Sequence, residues 1–197
     1  MDRLRLFIAV DTPGEVKQSL AILADDMSRA AKGVRWEPSV KFHCTLRFLG
    51  DVDRSRLVSL EEEVRSASAV PPLSVAYSGI GFFPAGARPR VVWAGISDTH
   101  GDLRRLQERI SAGLTRLGFP REERPFHPHV TLGRVREGAD VRGLIDIVKT
   151  RTFDHPPVIV PAVEIMQSVP MPRGSDYVVL RSIPLTGGGG ISPGSPG

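Results

Sequence analysis

Two tetrapeptides repeat one chemical pattern. His43-Cys44-Thr45-Leu46 and His129-Val130-Thr131-Leu132 each carry a histidine, an apolar residue, a threonine and a leucine. In a strand, residues i and i+2 emerge on the same face. Each tetrapeptide therefore presents one imidazole beside one hydroxyl, while Cys44, Leu46, Val130 and Leu132 point into a core. If the two strands face each other across a cleft, two imidazoles and two hydroxyls surround one small anionic group. A neutral imidazole takes a proton from an attacking water or hydroxyl, and a protonated one gives a proton to the departing oxygen. An unperturbed imidazole titrates near about 6.5, so both forms exist at neutral pH. Hydroxyls donate to non-bridging oxygens where charge builds up. This set suits cleavage of a phosphodiester and calls for no metal or other cofactor.

Other residues join the candidates by position. Strict alternation puts Arg47 on the face of His43 and Thr45, and puts Phe48 with Cys44 and Leu46 in the core. Alternation would turn Arg134 away from Thr131, but Gly133 permits a bulge that re-aims it. Arg47 and Arg134 are thus candidate phosphate contacts. Phe126, in a loop, is a candidate platform for a base. His127 and His129 form a His-x-His that resembles half of a metal site. No third and fourth ligand accompanies it, so His127 reads as a surface residue or as one acting behind His129. Cys44 reads as a small buried hydrophobe rather than a nucleophile. Arg88, Arg90, Arg121 and Arg124 are available to guide a nucleic-acid backbone.

The elements that must position these groups can be traced by periodicity. Leu4 to Val10 reads as a strand. Thr12-Pro13-Gly14-Glu15 is a helix start with Thr12 as its cap. That helix carries Val16, Leu20, Leu23, Met27 and Ala31 and stops at Gly33. Val34 to Trp36 is a short strand, and Phe42 to Phe48 alternates as a strand. Asp53 caps a helix through Leu57, Leu60 and Val64. Leu73 to Tyr77 is a strand, Gly79 to Pro84 a loop, and Val91 to Ile96 a central strand. Asp98 or Thr99 caps a helix with Leu103, Leu106, Ile110, Leu114 and Leu117 on one face. His129 to Val135 is the second motif strand, and Asp140 caps a short helix. Strands at Val158–Val160, Ala162–Val169 and Tyr177–Ile183 close the pattern. Strands often follow strands, which predicts an α+β fold with antiparallel sheets. The repeated tetrapeptide, with a helix after each copy, points to two lobes.

Composition bounds the rest. The 197 residues are 41% hydrophobic and 24% charged, values of an ordinary globular chain. No apolar run is long enough to span a membrane. The opening apolar stretch is too short for a signal sequence and lacks a cleavage site, so the expected location is cytoplasmic. One cysteine excludes an internal disulfide and a cysteine-rich zinc site. A net charge of +4, from 26 basic and 22 acidic residues, is compatible with a polyanionic partner. No self-complementary patch is readable, so a monomer is expected. One domain is expected over residues 1–185. The Gly/Pro/Ser-rich tail, residues 186–197, has no core-forming residues and is expected to be disordered.

The segments His43-Cys44-Thr45-Leu46-Arg47-Phe48-Leu49-Gly50 and Pro128-His129-Val130-Thr131-Leu132-Gly133-Arg134 resemble the paired His-x-Thr motifs of the two-histidine phosphoesterases. More narrowly, the chain resembles the bacterial and archaeal RNA 2′,3′-cyclic phosphodiesterases, historically called 2′-5′ RNA ligases. Arg3 to Val10, Pro89 to Gly95, Ser168 and the turn from Gly174 to Tyr177 resemble further family elements. Pro170, Pro172 and the glycine tail depart from that pattern. The resemblance implies a bilobal α+β fold, with antiparallel sheets lining a central cleft and helices packed outside. It implies metal-free hydrolysis of a 2′,3′-cyclic phosphate at an RNA end to a 2′-phosphate. His43 would then be the proton donor and His129 the proton acceptor, assignments that the sequence itself leaves open. Reversible 2′-5′ ligation would use the same acid-base pair, with a 5′-hydroxyl replacing water as nucleophile. Transfer RNA fragments, messenger fragments and small cyclic phosphodiesters all present the same phosphate. Two alternatives stand beside this reading: a non-catalytic module that holds RNA ends, and a metal-dependent hydrolase built on His127 and His129.

Overall fold

A computed structural model describes residues 2–172 and 174–187. The glycine-rich tail falls mainly on residues 188–197, outside the described residues. The described residues form two antiparallel sheets and four α-helices, with two short 3₁₀ turns. The first sheet has the order β3-β1-β8-β9, from β3 (His43–Asp53), β1 (Arg3–Asp11), β8 (Ala162–Met171) and β9 (Gly174–Pro184). The second has the order β2-β6-β5-β4-β7. Its strands are β2 (Val34–Trp36), β6 (His129–Val135), β5 (Val91–Ser97), β4 (Leu73–Phe83) and β7 (Asp154–Val160). Each motif strand belongs to a different sheet, and β3 packs against β6. The helices are α1 (Gly14–Ala30), α2 (Leu57–Ala67), α3 (Asp102–Arg116) and α4 (Arg142–Thr150).

The main core lies between the sheets and α1, α2 and α3. It is built from the periodic positions: Val16 and Leu20 of α1, Leu60 and Val64 of α2, and Leu103, Leu106, Ile110 and Leu114 of α3. β1 is buried on both faces. Leu4, Leu6, Ile8 and Val10 join the main core. Phe7 and Ala9, on the opposite face, pack with Met166 and Tyr177. This second face is the floor of the first motif's half of the site.

Several expected elements change at their ends. The Thr12 side chain does not cap α1; its hydroxyl turns inward toward that of Tyr77, and both are buried. Asp53 caps the 3₁₀ turn Arg54–Arg56 that leads into α2, accepting from the Ser55 N–H, while Asp98 and Asp140, outside the cap positions of α3 and α4, accept from the N–H groups of Leu103 and Arg104 and of Arg142. The stretch from Gly79, read as a loop, continues β4. Gly79 sits at φ +75° inside a register shift between Tyr77 and Ile80, and the strand resumes beyond it. Gly81 faces Trp93, whose ring would lie 2.2 Å from any Cβ placed there. Glycine at 81 therefore lets the indole lie against the strand. The prolines at 170 and 172 leave the last hairpin intact, with Met171 paired to Gly174.

Candidate active site

Both motif strands carry the same irregularity at the same place. Along β3, Ala9 pairs with Thr45 but Ile8 pairs with Arg47, so Leu46 is an extra residue. Along β6, Trp93 pairs with Thr131 but Val92 pairs with Gly133, so Leu132 is extra. A bulge of this kind reverses the in-out parity of everything that follows. Arg47 goes inward next to Leu46, and Phe48 comes out. Gly133 is buried next to Leu132, and Arg134 comes out.

The bulge turns Arg134 outward, and its counterpart corrects the expected placement of Arg47. The Arg47 side chain is only 4% exposed; it donates to Glu122 Oε2 at 3.1 Å and to the Pro120 carbonyl. It staples the segment after α3 to β3 and does not reach the motif face. Phe48, read as core, is 67% exposed, with its ring 6.1 Å from Phe7. Phe48 and Arg134 stand five residues after His43 and His129 respectively, so they occupy equivalent places in the two halves. Counting both motifs from their histidines would have exposed that equivalence in the sequence. Phe126 is also corrected. It packs partly buried against the main core and lines a groove of about 440 Å³ between α3 and residues 121–126. None of the motif residues lines that groove.

The imidazoles are held alike. His43 Nδ1 lies 2.7 Å from the Lys41 carbonyl, and His129 Nδ1 lies 2.7 Å from the His127 carbonyl. A carbonyl only accepts, so in each ring Nδ1 carries the hydrogen and Nε2 is the proton-exchanging atom. Nε2 of His43 lies 3.2 Å from the Thr45 hydroxyl. Thr131 shares the strand face of His129 in the same way. Aromatic rings fix both imidazoles from the side. Phe7 lies 5.0 Å and Tyr177 5.1 Å from His43, Tyr177 edge-on. Phe83 lies 5.1 Å from His129, and Trp93 4.8 Å from His127. Tyr177 and Phe83 depend on which strands become neighbours, a long-range fact that single-strand periodicity does not hold.

Burial lowers the proton affinity of both imidazoles, and their surroundings then differ. For His43, desolvation is the largest effect; its carbonyl partner and the Asp11 carboxylate oppose it, and charge on His129 and Lys17 adds to it. For His129, desolvation again leads, its carbonyl partner opposes it, and His127 and Arg134 push the same way as burial. Asp11 is paired across the sheet with His43 and holds Lys17 at 2.7 Å. Charge on His129 is thus felt at His43, and the strands that carry the two rings, β3 and β6, pack against each other. Burial pushes the Cys44 thiol up to about 12, which keeps it protonated and inert as expected. His127 is exposed. Among the described residues, no group of three or more His, Cys, Asp and Glu side chains is placed to hold a metal ion, so His127 and His129 gain no further ligand.

The sequence profile of LigT-like phosphoesterases matches residues 10–93 and 96–174. The chain belongs to the LigT-like phosphoesterase family. Among family relatives, it is similar to the RNA 2′,3′-cyclic phosphodiesterase of Thermotoga maritima. The two are 33% identical over 189 residues, 94% of this chain and 97% of that one. The Archaeoglobus fulgidus protein of the same name is 32% identical over 179 residues, 90% of this chain and 98% of its own. Among solved structures, TT0787 of Thermus thermophilus superposes with a TM-score of 0.80 at 29% identity, covering 93% of this chain and 99% of that one. Escherichia coli LigT complexed with 3′-AMP shares the fold, with a TM-score of 0.75 at 23% identity over 94% of this chain and 99% of that one. The two-sheet α+β architecture is therefore that of the family. No helix among the described residues is long and apolar enough to cross a membrane.

Proposed function

We propose that this family member hydrolyses RNA 2′,3′-cyclic phosphate ends to 2′-phosphates by paired acid-base catalysis. One observation carries the reading: two imidazoles, each with Nδ1 tied to the carbonyl two residues before it, stand on strands β3 and β6 that pack against each other, each on the strand face of its motif threonine. His129 Nε2 takes a proton from water as its oxygen bonds to phosphorus. The bond from phosphorus to the 3′ oxygen breaks, and His43 Nε2 delivers a proton to that oxygen. Thr45 and Thr131 donate to the non-bridging oxygens. Phe48 offers its exposed ring to a base, and Arg134 adds positive charge at the His129 end.

The division of roles has electrostatic support. Beneath the common effect of burial, a carboxylate beside His43 favours its charged form, while Arg134 and His127 disfavour charge on His129. Asp11 thus works toward a proton on His43, against burial and Lys17, in keeping with His43 as donor and His129 as acceptor. With an RNA 5′-hydroxyl in place of water, the same pair opens the ring, the P–O3′ bond again breaking, and leaves a 2′-5′ linkage. Under this reading the chain works as a cytoplasmic monomer on RNA fragments, transfer RNA fragments among them. The test is incubation with an oligonucleotide ending in a 2′,3′-cyclic phosphate, in excess chelator, with the product phosphate identified. A 2′-phosphate is expected from the wild type and none from His43→Ala or His129→Ala. Tight binding without product would favour an end-binding module. Loss of activity with chelator would favour the His127 and His129 metal site.

A further inference from the structure

Lys41 ends the 3₁₀ turn Ser39–Lys41 that leads into the first motif strand. Local bonds fix its backbone there. The Lys41 N–H donates to the Pro38 carbonyl at 2.9 Å, and the Phe42 N–H donates to the Ser39 carbonyl at 3.0 Å. Phe42 itself is buried in the main core. The Lys41 carbonyl, which accepts from Nδ1 of His43, is therefore held by bonds that owe nothing to the lysine side chain. That side chain makes a separate set of contacts. Nζ donates to the Ser175 carbonyl at 2.8 Å and pairs with Asp176 at 2.7 Å, both at the start of β9. It also lies 6.0 Å from the centre of the Tyr177 ring. β3 and β9 are the two edge strands of the first sheet, so the ammonium joins the turn before one edge to the start of the other. The lysine side chain is only 21% exposed, which shields these contacts from bulk water. Tyr177 in turn stands edge-on to His43 at 5.1 Å and to Phe7 at 5.2 Å, while Phe7 lies 5.0 Å from His43. The imidazole thus sits between a buried ring on the central strand β1 and a partly buried ring on the last hairpin. His127 is the counterpart in the other half: its carbonyl accepts from His129, and its ring lies against Trp93 and Phe83.

We propose that Lys41 is a positioning residue for His43: its ammonium straps the β8–β9 hairpin so that Tyr177 walls the imidazole against Phe7 and holds Nε2 beside Thr45. One hydrogen bond at Nδ1 fixes a point of the ring but leaves its plane free to swing about that bond. Packing between two rings fixes the plane. An ammonium has three donors, enough to hold a carbonyl and a carboxylate at once. Lys41 therefore grips His43 twice, directly through its carbonyl and at one remove through Tyr177. The proposal rests on the role given to His43 above.

Lys41→Met keeps the turn and its carbonyl and removes only the strap. On an oligoribonucleotide ending in a 2′,3′-cyclic phosphate, kcat is expected to fall about tenfold, the worth of one charge-assisted bond, with KM less affected. Lys41→Arg keeps a cation with donors and should restore most of that loss. Tyr177→Leu should lose about as much as Lys41→Met, and the double variant no more than either, because the lysine acts through the ring. A second readout needs no turnover: the titration of His43 followed by NMR. The groups that bear on it are Asp11 on β1, Lys17 on α1, His129 on β6, and Tyr177 with the Lys41–Asp176 pair behind it. Burial is the largest effect, so readmitting water should let His43 keep its proton to higher pH. The shift should be equal in Lys41→Met and Tyr177→Leu and no larger in the double variant. Should Lys41→Met not fold, Asp176→Asn cuts the strap from the hairpin side and carries the same comparison. Losses that add in the double variant would overturn the proposal. So would a lower Tm in Lys41→Met with kcat and the His43 titration unchanged, or a titration that moves in Lys41→Met but not in Tyr177→Leu. If the wild type turns over no cyclic phosphate, the catalytic reading fails instead, and the titration decides the strap separately.

Discussion

Replacing Arg47 with methionine and Phe48 with alanine separates two opposite accounts of these neighbours. Arg47 is buried and makes two hydrogen bonds, one to Glu122 and one to the Pro120 carbonyl. Bonds to a charged group contribute about 1.5–3 kcal/mol each. Glu122 is 43% exposed and regains water when released, so its share sits at the low end. The Pro120 carbonyl loses its donor, and methionine fills only the aliphatic part of the channel. Arg47→Met should therefore cost about 2–4 kcal/mol, which at about 2–4 °C per kcal/mol is about 4–16 °C in Tm. Turnover per folded molecule should hold. Phe48 is mostly exposed, so Phe48→Ala should move Tm little. Loss of a stacked base costs about 1–3 kcal/mol, or about 5- to 150-fold in KM. Thermal unfolding and steady-state kinetics on an oligonucleotide read both effects. An Arg47→Met protein with unchanged Tm and a hundredfold loss of kcat would refute the bulge argument. Phe48→Ala lowering Tm without raising KM would refute it equally.

Other outcomes follow from the same geometry. His43→Ala and His129→Ala should each lower kcat by about 10²–10⁴-fold, the usual worth of a positioned proton-transfer group, while far-UV circular dichroism stays native. Because burial lowers both imidazoles, the bell-shaped kcat/KM profile of the free enzyme should be centred on the acid side of neutral. Asp11→Asn removes a charge that favours the protonated form of His43, so the alkaline limb of that profile should move to lower pH. The same burial links folding to pH. Below about 6.5 the unfolded chain protonates both histidines before the folded protein does. Their contribution to stability is full above that pH and is lost as pH falls through the lowered folded values. A His43→Gln, His129→Gln double variant should flatten the acid side of a Tm-against-pH curve.

The sequence carried the paired motifs of the candidate site and much of the fold. His43, Thr45, His129 and Thr131 were legible because each pair obeys a two-residue period within one strand, a purely local rule. The helices were legible for the same reason, since Leu103, Leu106, Ile110 and Leu114 follow one stripe. Arg47 and Phe48 were misplaced because the parity beyond Leu46 is set by pairing with β1, more than thirty residues earlier in the chain. Gly133 advertised its own bulge, but Leu46 is followed by arginine and gave no such sign. Phe126 was misjudged because nothing local says that a loop folds back against α3. Tyr177, Asp11 and Lys41 gain meaning only from neighbours on distant strands.

The extra residue after each threonine has a wider consequence. It uncouples two stretches of one strand that would otherwise be locked in phase. Upstream, histidine and threonine keep their common face whatever lies downstream. Downstream, a single insertion or deletion would exchange an anchoring side chain for an exposed one. In this molecule one half has settled on an exposed ring and the other on an exposed cation. The character of the exposed position can therefore drift independently in each half, five residues past an unchanged histidine.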